Sequence, residues 1–134
     1  MTSTEDQKPT VFIIEDDPFV LRIYQRKLGN SGINVQLATN GVEGFERMKE
    51  APPNLILMDL VMPQKDGFEL IEDIKRTPSL QRIPIIVLSN LSQEKDIDRV
   101  KAMGVEEYFV KAHTSIHAVV DRVNQLLGIS ESHT

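Results

Sequence analysis

Residues 55–67 read Leu-Ile-Leu-Met-Asp-Leu-Val-Met-Pro-Gln-Lys-Asp-Gly, and the fold class follows from how this stretch changes character. Leu55 to Met58 is an unbroken apolar run, the pattern of a strand covered on both faces of a parallel sheet. Asp59 ends it. A carboxylate is costly inside such a sheet, which assigns Asp59 to the carboxyl edge of the strand. In open α/β sheets that edge is where ligands bind. Val61, Met62 and Pro63 then make a turn, and Asp66 suits the cap of a helix, with Glu69 at the reciprocal capping-box position.

Working outward, the same alternation repeats. Thr10 to Ile14 is a β-branched and aromatic strand that stops at Glu15, Asp16 and Asp17. Pro18 is favoured at a first helical position with Asp17 as cap, and Phe19, Val20, Ile23, Tyr24 and Leu28 recur at helical spacing up to Gly29-Asn30. Ile33 to Leu37 alternates apolar and polar, as a strand near the sheet edge does. Asn40-Gly41 opens a helix with Val42, Phe45 and Met48 on one face, and the prolines of Ala51–Asn54 stop it. A helix from Asp66 to about Arg76 follows the central strand, with Phe68, Ile71 and Ile74 inward. Ile83 to Leu88 is a fourth strand ending in Ser89-Asn90, and a helix from about Ser92 to Met103 follows. Glu106 to Val110 is a fifth strand ending in Lys111, and the last helix spans about Thr114 to Leu127. Strands alternating with helices predict an α/β domain, a doubly wound five-stranded parallel sheet with five helices.

A chain of 134 residues, 40% hydrophobic and 26% charged, suits one domain with its own core. The expected organisation is a disordered tail over 1–9, the domain over 10–127 and a C-terminal tail over 128–134. The absence of cysteine excludes disulfides, thiol catalysis and thiolate metal sites. No signal peptide and no apolar run of the roughly 18 residues a membrane span needs are visible, which predicts a cytoplasmic protein without a membrane partner. A net charge of -5 argues against nucleic acid, which calls for a basic face.

In a parallel sheet, Glu15-Asp16, Asp59, Ser89 and Lys111 converge on one edge. Two carboxylates about 4 Å apart at an effective dielectric near 20 repel by about 4 kcal/mol. A divalent cation removes that cost. Carboxylates with a backbone carbonyl and waters describe a Mg²⁺ site, and such sites commonly carry a phosphate. Lys111 and the Ser89 hydroxyl suit phosphoryl oxygens, and Asp59 is left as the nucleophile of an aspartyl phosphate. The methionines read as core filler, and His113, His117 and His133 have no ligand spacing.

At these residues the sequence resembles the receiver domain of two-component response regulators. The match lies in IIEDD after the first strand, MDLVMPQKDG around the third, LS after the fourth and YFVK at the fifth. It covers about residues 10 to 127. The resemblance implies the flavodoxin-like strand order 2-1-3-4-5. It makes Asp59 the phosphoacceptor and gives Mg²⁺ the ligands Asp16 directly, Glu15 through water, Asp59, and the backbone carbonyl of Val61. Ser89 becomes the switch hydroxyl, Tyr108 the switch aromatic that rotates inward, and Lys111 the phosphate-binding lysine. The implied donor is a sensor histidine kinase or histidine phosphotransfer protein. With no effector domain after Leu127, the expected output is a downstream protein target, contacted through the fourth helix, fifth strand and last helix.

The chain departs from the family pattern at Ala112, where proline is usual after the lysine, and at Asn90, where a smaller residue is usual. Val61 and Leu91 stand where many members have polar residues. A non-proline cis bond costs about 2.5–4 kcal/mol, so Lys111–Ala112 is expected to be trans. The rivals are a pseudo-receiver that binds partners without phosphorylation, and a phosphatase of the haloacid dehalogenase type. The second needs an acid at position 61, which is valine. A nucleotide or flavin binder would need a Gly-rich loop after the first strand, and the chain has none.

Overall fold

Strand and helix alternate throughout the structure, a computed structural model that describes residues 8–129. The elements are β1 (Thr10–Ile14), α1 (Pro18–Gly29), β2 (Asn34–Ala38), α2 (Gly41–Glu50), β3 (Leu55–Met58), α3 (Gly67–Arg76), β4 (Ile85–Ser89), α4 (Glu94–Ala102), β5 (Glu107–Val110) and α5 (Ile116–Leu127). All neighbouring strands pair in parallel, in the order β2-β1-β3-β4-β5. The predicted doubly wound sheet is therefore the observed one. The expected tails at 1–9 and 128–134 fall mostly outside the described residues. Within them, Asn34 N–H donates to the Pro9 carbonyl and Ile129 N–H to the Asn124 carbonyl.

β3 is fully buried along its length, as its unbroken apolar run requires. Side chains of successive strand residues point to opposite faces. Phe12, Ile14, Ile56, Met58, Ile85 and Val87 meet the inward residues of α2, α3 and α4. Val11, Ile13, Leu55, Leu57, Ile86 and Leu88 meet those of α1 and α5. β2 lies at the sheet edge and is only half covered, in line with its alternating pattern.

The caps follow side-chain chemistry. Asp17, Asn40, Asp66 and Ser115 accept hydrogen bonds from the first-turn amides of α1, α2, α3 and α5. Gly128 closes α5 in the left-handed conformation. Several boundaries differ from the expectation. α1 runs through Gly29, and the left-handed turn residue is Gly32. β4 starts after Pro84, which has no N–H to give the ladder, although its carbonyl accepts from Ile56. α4 begins at Glu94, two residues later than expected, and Gln93 gives it no side-chain cap.

The stripe predicted for α1 and α2 is also shifted at its start. Phe19 is 65% exposed and Val42 48% exposed, each in the first turn of its helix. Leu21 takes the buried position on α1 instead. Among the described residues no helix is long and apolar enough to cross a membrane.

Candidate functional site

Register brings the predicted site residues together. Ile14 lies beside Met58 and Met58 beside Val87, while Ser89 lies beside Val110. The residues that follow, Glu15, Asp59 and Lys111, therefore emerge with Ser89 on one edge. Asp59 N–H donates to the Ile14 carbonyl at 3.1 Å, extending the ladder to the site itself.

Carboxylate oxygens of Glu15, Asp16 and Asp59 all lie within 4.8 Å of one another. Glu15 is 3% and Asp59 7% exposed, whereas Asp16 faces solvent. Three acids at that separation need positive charge between them. Lys111 supplies it, its Nζ lying 2.6 Å from Glu15 Oε1 and 2.9 Å from Asp59 Oδ2. Burial raises the Glu15 carboxyl above its ordinary value, against the lowering effect of Lys111. Burial alone would lower the Lys111 ammonium, but its bonds to Asp59 and Glu15 prevail and raise it. One cation bonded to two buried acids accounts for both directions: the lysine gains two partners, while for Glu15 its charge offsets only part of the cost of burial.

The two oxygens of Asp59 have different partners. Oδ1 accepts from the amides of Leu60 at 2.6 Å and Val61 at 3.2 Å. Oδ2 faces Lys111. Glu15 Oε2 accepts from Asp17 N–H at 3.1 Å, so Asp17 serves the pocket through its backbone while its side chain caps α1. Fixed carboxylates with one exposed member form a hard, oxygen-donor cluster, the donor set that suits Mg²⁺.

Ser89 is fully buried and Tyr108 is 8% exposed. Both hold the backbone of Leu91: Leu91 N–H donates to Ser89 Oγ at 3.3 Å, and the Tyr108 hydroxyl donates to the Leu91 carbonyl at 2.6 Å. Tyr108 is thus buried, with its hydroxyl anchored on the loop before α4. Burial raises its phenol above the ordinary value, opposed by Ser89.

After Lys111 the chain makes a 3-10 turn over Lys111–His113, and α5 then begins at Ile116, two residues later than expected. No peptide bond among the described residues is cis, so Lys111–Ala112 is trans as its chemistry requires. Thr114 Oγ1 donates to the Val110 carbonyl and closes this loop.

Three features go beyond the reading of the sequence, which placed Tyr24 only in the apolar stripe of the first helix. Tyr24 is buried beneath the pocket, lining small cavities with Glu15 and Asp59 on one side and Lys111 on the other. Burial there pushes its phenol up to about 12. Gly67 lies so close to Leu60 that an added Cβ would sit 2.5 Å from the Leu60 Cα. Lys65 is pinned between α2 and α3. The signal for Gly67 was present in part, since glycine is the residue that lets two backbone segments approach closely. The other two depend on packing between elements distant in sequence.

The model of the response regulator receiver domain matches residues 11–124. The polar-differentiation response regulator DivK of Brucella anthropi is 28% identical over 89% of this chain and 96% of its own length. The gliding motility regulatory protein of Myxococcus xanthus is 30% identical over 87% of this chain but only 15% of its own. The dual master transcriptional regulator RpaA of Synechocystis is 30% identical over 89% of this chain and 49% of its own. The chain thus spans half or less of the length of several curated relatives. Among solved structures, the phosphorylated cyanobacterial phytochrome response regulator RcpA superposes with a TM-score of 0.81 at 31% identity. That match covers 92% of this chain and 97% of RcpA. The receiver domain of the Francisella response regulator 1452 gives 0.83 at 26% identity, covering 90% and 98%.

Proposed function

Since this chain belongs to the response regulator receiver domain family, we propose that it takes a phosphoryl group on Asp59 and switches the binding of a protein partner. The observation that carries the reading is the Lys111 ammonium set between the buried Glu15 and Asp59 carboxylates. A lysine so placed can hold an arriving phosphoryl group as it holds the acids now.

Glu15, Asp16, Asp59 and the Val61 carbonyl are the residues that would hold Mg²⁺. When bound, the ion would neutralise the acids and the phosphoryl oxygens. Asp59 Oδ1 is fixed by two backbone amides, which leaves Oδ2 as the attacking atom. As its bond to phosphorus forms, the bond from phosphorus to the donor's imidazole nitrogen breaks, and the imidazole keeps the electron pair. Lys111 then exchanges carboxylate oxygens for phosphoryl oxygens. The donor would be a sensor histidine kinase or a histidine phosphotransfer protein.

The switch follows from the two bonds to Leu91. If Ser89 Oγ turns to a phosphoryl oxygen, it releases the Leu91 amide while Tyr108 keeps the carbonyl. The loop before α4 then pivots on Tyr108, and the face formed by α4, β5 and α5 changes. This is a population shift biased by new charge.

Acetyl phosphate with Mg²⁺ should label the protein with a hydroxylamine-labile phosphate, and Asp59→Asn should abolish the labelling without unfolding the domain. Undiminished labelling of that variant would move the phosphosite elsewhere. No labelling of the wild type would favour a phosphorylation-independent binding module.

A further inference from the structure

The loop between Asp59 and α3 contains a strained turn held from one side. Gln64 has φ +74°, the only positive φ outside glycine among the described residues. Lys65 N–H donates to the Pro63 carbonyl at 2.9 Å across it. A hydrogen bond between residues i+2 and i around a positive φ defines a γ-turn of the rare, strained kind. Glutamine has no side-chain reason to favour that conformation, and such strain persists only where the surroundings impose it.

The surroundings here are contacts of Lys65. Its Nζ forms an ion pair with Asp73 on α3, and lies 5.8 Å from the centroid of the Phe45 ring on α2, within cation–π range. Its backbone lies against Gly41, where an added Cβ would meet the Lys65 Cβ and carbonyl oxygen at 3.2 Å. On the other side of the turn, Gly67 N–H donates to the Leu60 carbonyl at 2.8 Å and closes the loop at its base.

We propose that Lys65 is a positioning residue: its clamp between α2 and α3 keeps the Gln64 turn closed and so fixes Val61 at the rim of the carboxylate pocket. The inference rests on the reading of Val61 as a carbonyl ligand for Mg²⁺. Its content is that Lys65, which touches neither phosphate nor metal, sets the affinity of the pocket for the cation. A surface ion pair is worth little by itself. Its effect here is geometric, because the loop it closes carries a ligand atom.

The test is Mg²⁺ titration of the unphosphorylated full chain, followed by calorimetry and by amide NMR shifts at residues 59–67, with MgCl₂ alone as the probe. Lys65→Met should weaken Mg²⁺ binding by about tenfold, the low end of the scale for a lost outer-sphere support, while Lys65→Arg stays within about twofold of wild type. Gln64→Gly, which removes the strain, should restore much of the affinity in the Lys65→Met background. Gly41→Ala crowds the same contact from α2 and should weaken binding in the same direction. If Lys65→Met lowers thermal stability but leaves Mg²⁺ affinity unchanged, the residue is merely structural and the proposal fails. Asp16→Asn separates the two readings. If that variant binds Mg²⁺ as well as wild type does, or wild type binds none, the metal reading itself falls and this inference with it. If Asp16→Asn loses binding and the Lys65 and Gly41 variants do not, only the positioning role is overturned.

Discussion

Two loops leave adjacent strands at the same edge of the sheet, and they are held in opposite ways. The loop from β3 to α3 is fixed along its whole length. Asp59 Oδ1 takes two of its amides, Leu60 is buried at 1% exposure, Gly67 closes its base, Asp66 caps α3, and Lys65 clamps it to two helices. The loop from β4 to α4 is held at Leu91 by Ser89 and Tyr108, and then enters a helix with no side-chain cap and one fully buried residue, Val100. Few buried contacts and few bonds mean a low cost of local opening. The difference matches the proposed division of labour: one loop presents groups to the chemistry and cannot move, the other must respond to it.

The strongest way to break the comparison is to disturb the fixed loop at its base. A Cβ on Gly67 would meet the Leu60 Cα at 2.5 Å and the Leu60 carbonyl oxygen at 3.0 Å, both backbone atoms that cannot turn aside. Gly67→Ala should therefore destabilise the domain by about 3 kcal/mol, the upper part of the overpacking range. A small change in the other loop, Ser92→Ala, should cost under about 0.5 kcal/mol. Urea unfolding of both variants measures the contrast, and similar losses would show that the two loops are equally constrained.

What the sequence revealed of this contrast was uneven. The strands were legible from their apolar runs, and those of β1, β3, β4 and β5 stopped at the polar residues that now line the pocket, while β2 showed only the alternation of an edge strand. The Asp17 and Asp66 caps were legible because capping is local chemistry. The exposure of Phe19 and Val42 was not, since helical spacing says which residues share a face but not which of them the tertiary packing covers. Nor was the Gln64 turn, because nothing in Pro-Gln-Lys favours a positive φ; the clamp that imposes it comes from Phe45, Gly41 and Asp73. The start of α5 was set two residues early, at Thr114, because Thr114 and Ser115 are both good caps and only the fold shows that Ser115 accepts from the Ala118 amide.

A second comparison uses one residue from each loop. Hydrolysis of an aspartyl phosphate needs a water in line with phosphorus, and a polar side chain nearby helps orient it. Val61 is 59% exposed in the fixed loop and Leu91 half-buried in the loose one, and neither side chain can hydrogen-bond. The phosphoryl group should therefore be long-lived. Val61→Asn with Leu91→Glu should shorten its lifetime roughly tenfold, equivalent to about 1.4 kcal/mol of barrier. Val61→Asn alone should carry most of the effect, because its loop holds the side chain in place. Decay of the phosphoprotein after donor removal measures both, and unchanged decay in the double variant would show that these side chains do not control the water.

The loose loop can be loosened further. Tyr108→Phe removes the hydrogen bond to the Leu91 carbonyl and should cost about 1 kcal/mol. Amide exchange should speed up at residues 91–94 while residues 60–67 are unaffected. The bond also has a pH limit, since a phenolate cannot donate. Burial raises the Tyr108 phenol above its ordinary value of 10.0. A folded value above the unfolded one means that its stabilisation is complete below pH 10.0 and is lost as pH rises through the folded value. Tyr108→Phe should abolish that part of the alkaline loss, and a variant with the wild-type alkaline profile would exclude the phenol as its source.

The smallest expected effect runs the other way, by giving the loose loop what the fixed one has. Gln93 stands at the cap of α4 without a side-chain bond, whereas Asp66 caps α3 by accepting from Glu69 N–H at 2.9 Å. An aspartate at position 93 has the short carboxylate that reaches a first-turn amide. Glu94 and Asp96 already place negative charge there, which offsets part of the gain. Gln93→Asp should therefore stabilise the domain by only about 0.5 kcal/mol, at the low end of the capping range. The consequence for switching should be larger than that for melting. Leu91 lies two residues before the cap, so a firmer start to α4 raises the cost of the pivot that releasing its amide permits. The measurement pairs thermal unfolding with amide exchange at residues 90–96, before and after phosphorylation. Slower exchange in both states, with a smaller difference between them, would mean that the missing cap is part of what leaves the loop able to move. Unchanged exchange would assign the looseness to the sparse burial of α4 instead.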